Sequence, residues 1–381
     1  MTGTSRVSLY KDRADQWPAA FSDVARVIFD SQVFVEQRHG GVSRYFTALA
    51  AHLAHTEWKP FIARGVSQDP LDLPPGVGEF GPRFPIPRIA HTFRARRLIN
   101  MLLMRMYGPR PDGRSVYHPT WYHGPSLAAW DSLPIVLTIH DLIPEKWPGV
   151  TTASQLTDRR EAIRKARAIL CVSKSTQEQL GLHYPWALEK SEVALLGISD
   201  LPEEPEPTAS PSPYFVHIGK RGAYKDFTTI IRALSVVPDE VVVVAAGGGP
   251  MSEREEQILD SARLNSRVRF EPDISDQSLA RLLDGSQGLI SASREEGFGL
   301  PALEALARGR PVILSDIPVY RELFGKWGRF FPPGNHEVLA SALSEVLEMP
   351  PNVPIRSELE ARFSWSETAR ITASVYERVL A

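Results

Sequence analysis

Cysteine is almost missing from this chain. Cys171 is the single one in 381 residues, so there is neither a disulfide framework nor a cysteine metal site, and a reducing cytoplasm fits. Long apolar runs are missing as well. None approaches the ~20 residues of a membrane span, and the opening MTGTSRVSLYKDRADQWP lacks the apolar core of a signal peptide, so the protein is expected to be neither exported nor integral. Charge of one sign is scarce too: the formal net charge is −2 and no like-charged tract is long enough for a binding tail, which argues against a nucleic-acid partner. What remains, 43% hydrophobic and 23% charged residues, is ordinary for a globular chain long enough to form two domains with substantial cores.

From about residue 25 onward, strand-like apolar runs alternate with helical patterns. Arg26 to Asp30, Pro134 to Ile139, Ala168 to Val172, Tyr214 to Ile218, Glu240 to Ala246 and Pro311 to Leu314 are such runs, and the rhythm is that of parallel α/β sheets. It breaks over the acidic, proline-rich stretch from Asp200 to Pro213. That stretch can form neither helix nor sheet and is read as the linker between two Rossmann-like halves, the first over residues 1–203 and the second over 204–364.

The most informative segment is SREEGFGLPALEALARGRPVI, residues 293 to 313. A short strand from Gly288 to Ala292, a glycine loop and a helix from Pro301 to Arg308 follow one another. Pro301 suits the first helical position, and the free N–H groups before it point outward with partial positive charge, a ready phosphate site. Gly297 and Gly299 remove the Cβ atoms that would keep a ligand from this backbone. Carboxylates beside a phosphate site need donors to face, and sugar hydroxyls are such donors. Glu296 and Glu304 are therefore read as holding the transferred sugar and the ribose on either side of a diphosphate. The plainer alternative is a solvated Glu296 and a Glu304 that merely suits a first helical turn.

Residues 293 to 313, with Ser315 and Glu322, resemble the donor-site signature of the family-4 glycosyltransferases, retaining enzymes of the GT-B fold. Further resemblance lies in Gly40-Gly41-Val-Ser-Arg44-Tyr45, His140-Asp141-Leu-Ile-Pro144, Val172-Ser173-Lys-Ser175, Gly219-Lys-Arg221-Gly-Ala-Tyr-Lys225 and Ser364-Trp365-Ser-Glu-Thr-Ala369. Arg308 departs from it, standing where such enzymes commonly carry a small residue. The resemblance implies two Rossmann-like domains facing a central cleft, with a final helix over 365–381 crossing back onto the first. It also implies a nucleoside diphosphate sugar as donor. GDP-mannose is the first expectation, from likeness to bacterial polysaccharide mannosyltransferases, and a UDP-hexose the second. The acceptor would be a saccharide or a lipid-linked one, and no further cofactor is expected.

Breaking a sugar–phosphate bond demands stabilisation of the leaving charge. Arg221 and Lys225 leave a strand through the turn at Gly219, and the resemblance places a matching pair on the diphosphate; a solvated basic loop is the alternative, and Lys220 is read as surface. His140 follows a strand directly. The resemblance puts it near the transferred sugar, as a contact that supports the transition state and not as a general base. Asp141 either orients it or caps the turn. Gly40 and Gly41 bare a second helix N-terminus opposite the first, and the resemblance brings this loop to the donor diphosphate and the acceptor; Arg44 on that turn is read either as steering an anionic acceptor or as solvated. Around Pro272 and Asp273 the resemblance expects backbone contacts to the nucleobase, and it includes Phe298 and Leu300 in the donor loop. No His, Cys or Asp cluster has metal-ligand spacing and no Asp-x-Asp occurs, so turnover is expected to need no divalent ion.

One segment bears on location. Phe93 to Tyr107 sets arginines beside a leucine- and methionine-rich stripe. It reads first as a core helix of the first domain with its arginines outside, and in the alternative as a helix lying peripherally on an anionic membrane. Rival functions are a non-catalytic sugar-nucleotide-binding scaffold or partner subunit, and an epimerase or phosphorylase of similar architecture.

Overall fold

The structure is a computed structural model and describes residues 24–36, 40–67, 73–82, 84–85, 93–107, 113–128, 130, 132–199, 201–202 and 212–381. The N-terminal stretch read for a signal peptide lies outside these residues, as do most of the linker and the expected boundary at 203/204.

The first sheet contains β1 (Ala25–Phe29), β2 (Trp58–Ala63), β3 (Gly78–Phe80) and β4 (Ser115–His118) in the order β3-β2-β1-β4. A parallel bridge from Tyr117 to Ile135 joins it to β5 (Val136–Ile139), β6 (Ala168–Cys171) and β7 (Ser191–Val193), all parallel. The second sheet has β8 (Tyr214–Ile218), β9 (Val242–Ala246), β10 (Val268–Glu271), β11 (Gly288–Ser291), β12 (Val312–Ser315) and β13 (Gly328–Phe331), again all parallel, in the order β10-β9-β8-β11-β12-β13. Both sheets therefore reverse direction of winding beside their first strand, β1 or β8. In such sheets the crevice at that reversal, beyond the carboxyl ends of the strands, is where ligands bind.

Strands buried on both faces read as continuous apolar runs, which is why β1, β5, β6, β8, β9 and β12 are visible in the sequence. β2 hides behind Lys59 and Pro60 in its middle, where Pro60 lies opposite Val27. Proline is expected only at edges, and β2 is interior.

Helix α1 (Gly41–Leu53) buries Tyr45, Phe46 and Leu49, with Phe46 edge-on to Phe29 of β1 at 5.5 Å and the Tyr45 hydroxyl 3.0 Å from Thr138 Oγ1 of β5. The last helix, running Trp365–Leu380, packs on α1. Its Tyr376 packs tilted against Trp58 at 4.8 Å and its hydroxyl bonds Nδ1 of the fully buried His118 at 2.6 Å. Nε2 of His118 meets Thr138 Oγ1, which meets the Tyr45 hydroxyl. Burial holds His118 down to about 3, so this chain of polar groups is neutral. Because the chain enters the second domain after β7 and returns for this helix, the core of the first domain is completed by the last residues of the sequence. Tyr376→Phe leaves Nδ1 of His118 without its partner, and urea unfolding is expected to show a loss of about 1–2 kcal/mol.

Candidate functional site

The two domains meet closely at Gly297. A Cβ there would lie 1.6 Å from the carbonyl oxygen of His140, so only glycine fits. The Gly297 carbonyl accepts from Ser173 Oγ at 2.7 Å and Thr176 Oγ1 at 3.0 Å, both on the first domain. Glu322 reinforces this contact. Its carboxylate accepts from the Lys174 and Ser175 amides at 2.9 and 2.7 Å, capping α2 (Lys174–His183) from across the interface. Ser315 Oγ donates to the Ser293 carbonyl and so fastens the base of the same loop.

The loop carrying Gly297 connects β11 to α3 (Leu300–Ala307), with Pro301 in its first turn and Gly299 at φ 102°. Leu300 lies opposite Gly41, where a Cβ would stand 3.3 Å from its Cδ1. The amino ends of α1 and α3 thus oppose each other across the cleft, and Gly40 precedes the first turn of α1 with no side chain capping it.

Glu296 and Lys225 come together. Lys225 Nζ donates to Glu296 Oε1 at 2.5 Å, and Ser293 Oγ donates to the same oxygen at 2.7 Å. Burial works against the Lys225 charge, yet the adjacent carboxylate outweighs it and raises the lysine above its ordinary value. Next to this pair Arg294 Nε bonds Asp226 at 2.8 Å and the Arg294 amide bonds the Tyr224 carbonyl at 2.7 Å, which zips the β8 loop to the β11 loop. His140 stands at the end of β5, edge-on to Tyr45 at 4.9 Å. Burial holds it down to about 3, so the ring is neutral, and its Nε2 is buried with no hydrogen-bond partner among the described residues.

Several expected side chains are elsewhere engaged. Arg221 does not stand free for a diphosphate: Nε bonds Glu255 at 2.6 Å, Nη1 the Gly247 carbonyl, Nη2 the Gly249 and Pro250 carbonyls, and its side chain is 4% exposed over Phe270. It fixes the turn of Gly247, Gly248 and Gly249, all at positive φ. Lys220, read from sequence as surface, is indeed exposed, and it directly follows Gly219 beside that turn. Asp141 does not bond His140. Its Oδ1 accepts from the Ile143 amide at 3.1 Å, so it caps the turn. Phe298 is buried edge-on against Phe363, which leaves only its backbone to face a ligand. Pro272 and Asp273 are exposed just after the edge strand β10.

Arg44 takes neither of its expected roles. From the first turn of α1 it crosses the cleft to Glu304 at 2.5 Å and to Asp276. Glu304 is 2% exposed, and burial pushes it up to about 7 against the pull of Arg44. Asp276 escaped the sequence reading because an acid just after Ser275 reads only as a first-turn residue suited to a helix dipole.

Two expectations follow. Arg221→Ala strands Glu255 and frees the glycine turn, so chemical denaturation is expected to lose about 3 kcal/mol, whereas Lys220→Ala leaves stability unchanged. For Glu304, a carboxyl raised from 4.5 to about 7 binds its proton more tightly when folded. The folded state is then penalised as pH rises through that window, fully so above 7. Glu304→Gln, measured by unfolding at pH 5 and pH 8, is expected to gain stability relative to wild type by about 2–3 kcal/mol at the higher pH.

Comparison with known proteins completes the picture. Residues 39–200 match the description Glycosyltransferase Family 4, and residues 202–370 match Glycosyl transferases group 1. The O-antigen chain mannosyltransferase RfbU of Salmonella typhimurium is 23% identical over 244 residues, 62% of this chain and 68% of that protein. The serotype-specific mannosyltransferase WbdA of Escherichia coli is 30% identical over 164 residues, 42% of this chain and only 20% of the relative. Among solved structures, sucrose-phosphate synthase from Thermosynechococcus elongatus superposes with a TM-score of 0.72 at 19% identity, over 93% of this chain and 99% of the other. Anabaena HepE in complex with UDP and glucose gives 0.66 at 16%, with the same coverage. Two adjoining family matches that span nearly the whole chain, on two parallel sheets of this order, make the protein a member of the family-4 glycosyltransferases of the GT-B fold.

Proposed function

We propose that this glycosyltransferase moves a hexose from a nucleoside diphosphate sugar to a saccharide or lipid-linked acceptor in surface polysaccharide synthesis, keeping the anomeric configuration. The observation that carries the reading is the meeting at Gly297. It seats the loop that carries the Lys225–Glu296 pair of one domain on the backbone of His140 from the other, whose ring keeps a buried Nε2 without a hydrogen-bond partner among the described residues. A buried donor or acceptor without a partner is costly to maintain and suits a ligand hydroxyl.

In this reading Glu296 accepts from hydroxyls of the transferred sugar, and Glu304 accepts from the ribose once the domains part and Arg44 leaves it. The amides of Gly297 to Leu300, with Lys225 and Lys220, meet the diphosphate, and Lys220 replaces Arg221 in that role. The anomeric carbon–phosphate oxygen bond breaks, the acceptor oxygen attacks from the same face, and its proton passes to the departing phosphate. Neutral His140 contacts the sugar. Gly219 keeps the β8 loop open to the phosphates, while Gly40 and Gly41 present the acceptor-side amides. Charge on the leaving group is met by amides and lysines, so a chelator is expected to leave turnover intact. Mannose is the favoured sugar because RfbU and WbdA bear the name of mannosyltransferases, which makes GDP-mannose the first donor; a UDP-hexose is second, as HepE is solved with UDP-glucose.

A melting-temperature panel of nucleoside diphosphates tests the donor class, since a ligand at 100 times its Kd stabilises by about 2.7 kcal/mol. Glu296→Ala and Lys225→Ala are expected to lower donor hydrolysis by about a hundredfold, and Lys220→Ala to weaken diphosphate binding about tenfold. Proton NMR of the product reads the anomeric outcome, and an inverted linkage would refute the retaining assignment.

A further inference from the structure

The helix Phe93–Tyr107 turns outward the face that a core helix would hide. Arg96, Asn100 and Met104, four residues apart, are buried. Asn100 anchors them by accepting from the Val66 amide at 2.7 Å and donating to the Val66 carbonyl at 3.0 Å. The opposite stripe is Leu98, Ile99, Leu102 and Met106, which are 55%, 43%, 47% and 61% exposed. This overturns the sequence reading of a core helix with its arginines outside: apolar side chains face solvent and one arginine lies inside. Phe84, on the strand paired with Val66–Ser67, is exposed as well.

Single exposed leucines are ordinary, but four large apolar side chains in one stripe are not. The charge of the helix decides what covers them. Its sequence, FRARRLINMLLMRMY, has four arginines and no acid, and Arg105 is exposed at the edge of the stripe. A second copy docked by two-fold symmetry would set this cationic helix against itself. An anionic lipid surface complements it, with exposed Arg105 meeting the headgroups and the apolar stripe entering the acyl boundary. No helix among the described residues is long and apolar enough to cross a membrane. The helix packs on the segment Gln32–Glu36, which leads to Gly40 at the acceptor side of the cleft.

We propose that Leu98, Ile99, Leu102 and Met106, with Arg105, form a docking surface for an anionic bilayer, placing the acceptor side of the cleft beside the membrane. The inference rests on the reading above only in linking that surface to a lipid-linked acceptor. Vesicle flotation of the full chain tests it, with phosphatidylcholine alone against phosphatidylcholine containing about one part in three phosphatidylglycerol. Wild type is expected to float with the anionic vesicles, and Leu98→Ser/Leu102→Ser/Met106→Ser to be recovered about tenfold less at an unchanged melting temperature, as the three side chains are exposed. Arg105→Glu is expected to reduce recovery at low salt. Equal recovery of the triple variant, no flotation of wild type, or a wild-type dimer that the triple variant dissolves without losing flotation would each overturn it. The nucleotide-induced melting shift, measured without vesicles, reports on the donor reading separately and is expected to be the same in the triple variant.

Discussion

The close approach of Gly297 to the His140 carbonyl is the constraint on which the site depends. No side chain fits between these two backbones. Through that contact the β11 loop of the second domain is seated on the end of β5 in the first, and Ser173, Thr176 and Glu322 hold it there. The residues next to this contact are held close to it. Glu296 is the residue immediately before Gly297, and Lys225 is fixed by Glu296. His140 supplies the carbonyl itself.

Charge within the cleft is arranged in partnerships that span segments far apart in sequence. Lys225 with Glu296 joins two loops of one sheet, while Arg44 with Glu304 and Asp276 joins the two domains. A buried carboxylate such as Glu304 is tolerated because a cation is delivered from the opposite side. Separating the domains would leave Glu304 and Asp276 facing one another without Arg44, so electrostatics and closure are linked. Arg221 has a different part. Its fork of donors is matched to carbonyls of a glycine turn, a planar recognition that lysine could not reproduce.

Much of the fold was legible because parallel strands buried on both faces must be apolar throughout, and helix starts carry proline, serine or glycine signals. The helix at Leu300 and the one at Trp365 begin where Pro301 and Ser364 indicate. β2 was hidden by Pro60, and β4 by the polar Ser115 and His118 that bound its two apolar residues. In the site, Lys225 meets Glu296 and Gly297 meets the backbone of His140, contacts between motifs that lie apart in the sequence. Arg221 and Phe298 were misjudged because a motif reports the residue but not the rotamer. Arg44 was left between two roles and has a third, since its partners lie 232 and 260 residues away.

By itself the sequence determined the alternation of strand and helix, the division into two halves and the chemical types gathered at strand ends. These follow from local propensity and burial, which are written residue by residue. Only the tertiary structure decided which cation meets which carboxylate, that Arg221 faces inward, that Glu304 is shut from water by the other domain, and that the apolar stripe after Arg97 faces out. Those outcomes depend on distances between segments that no local pattern encodes, and on a competition for burial that is settled only once both domains and the final helix are in place.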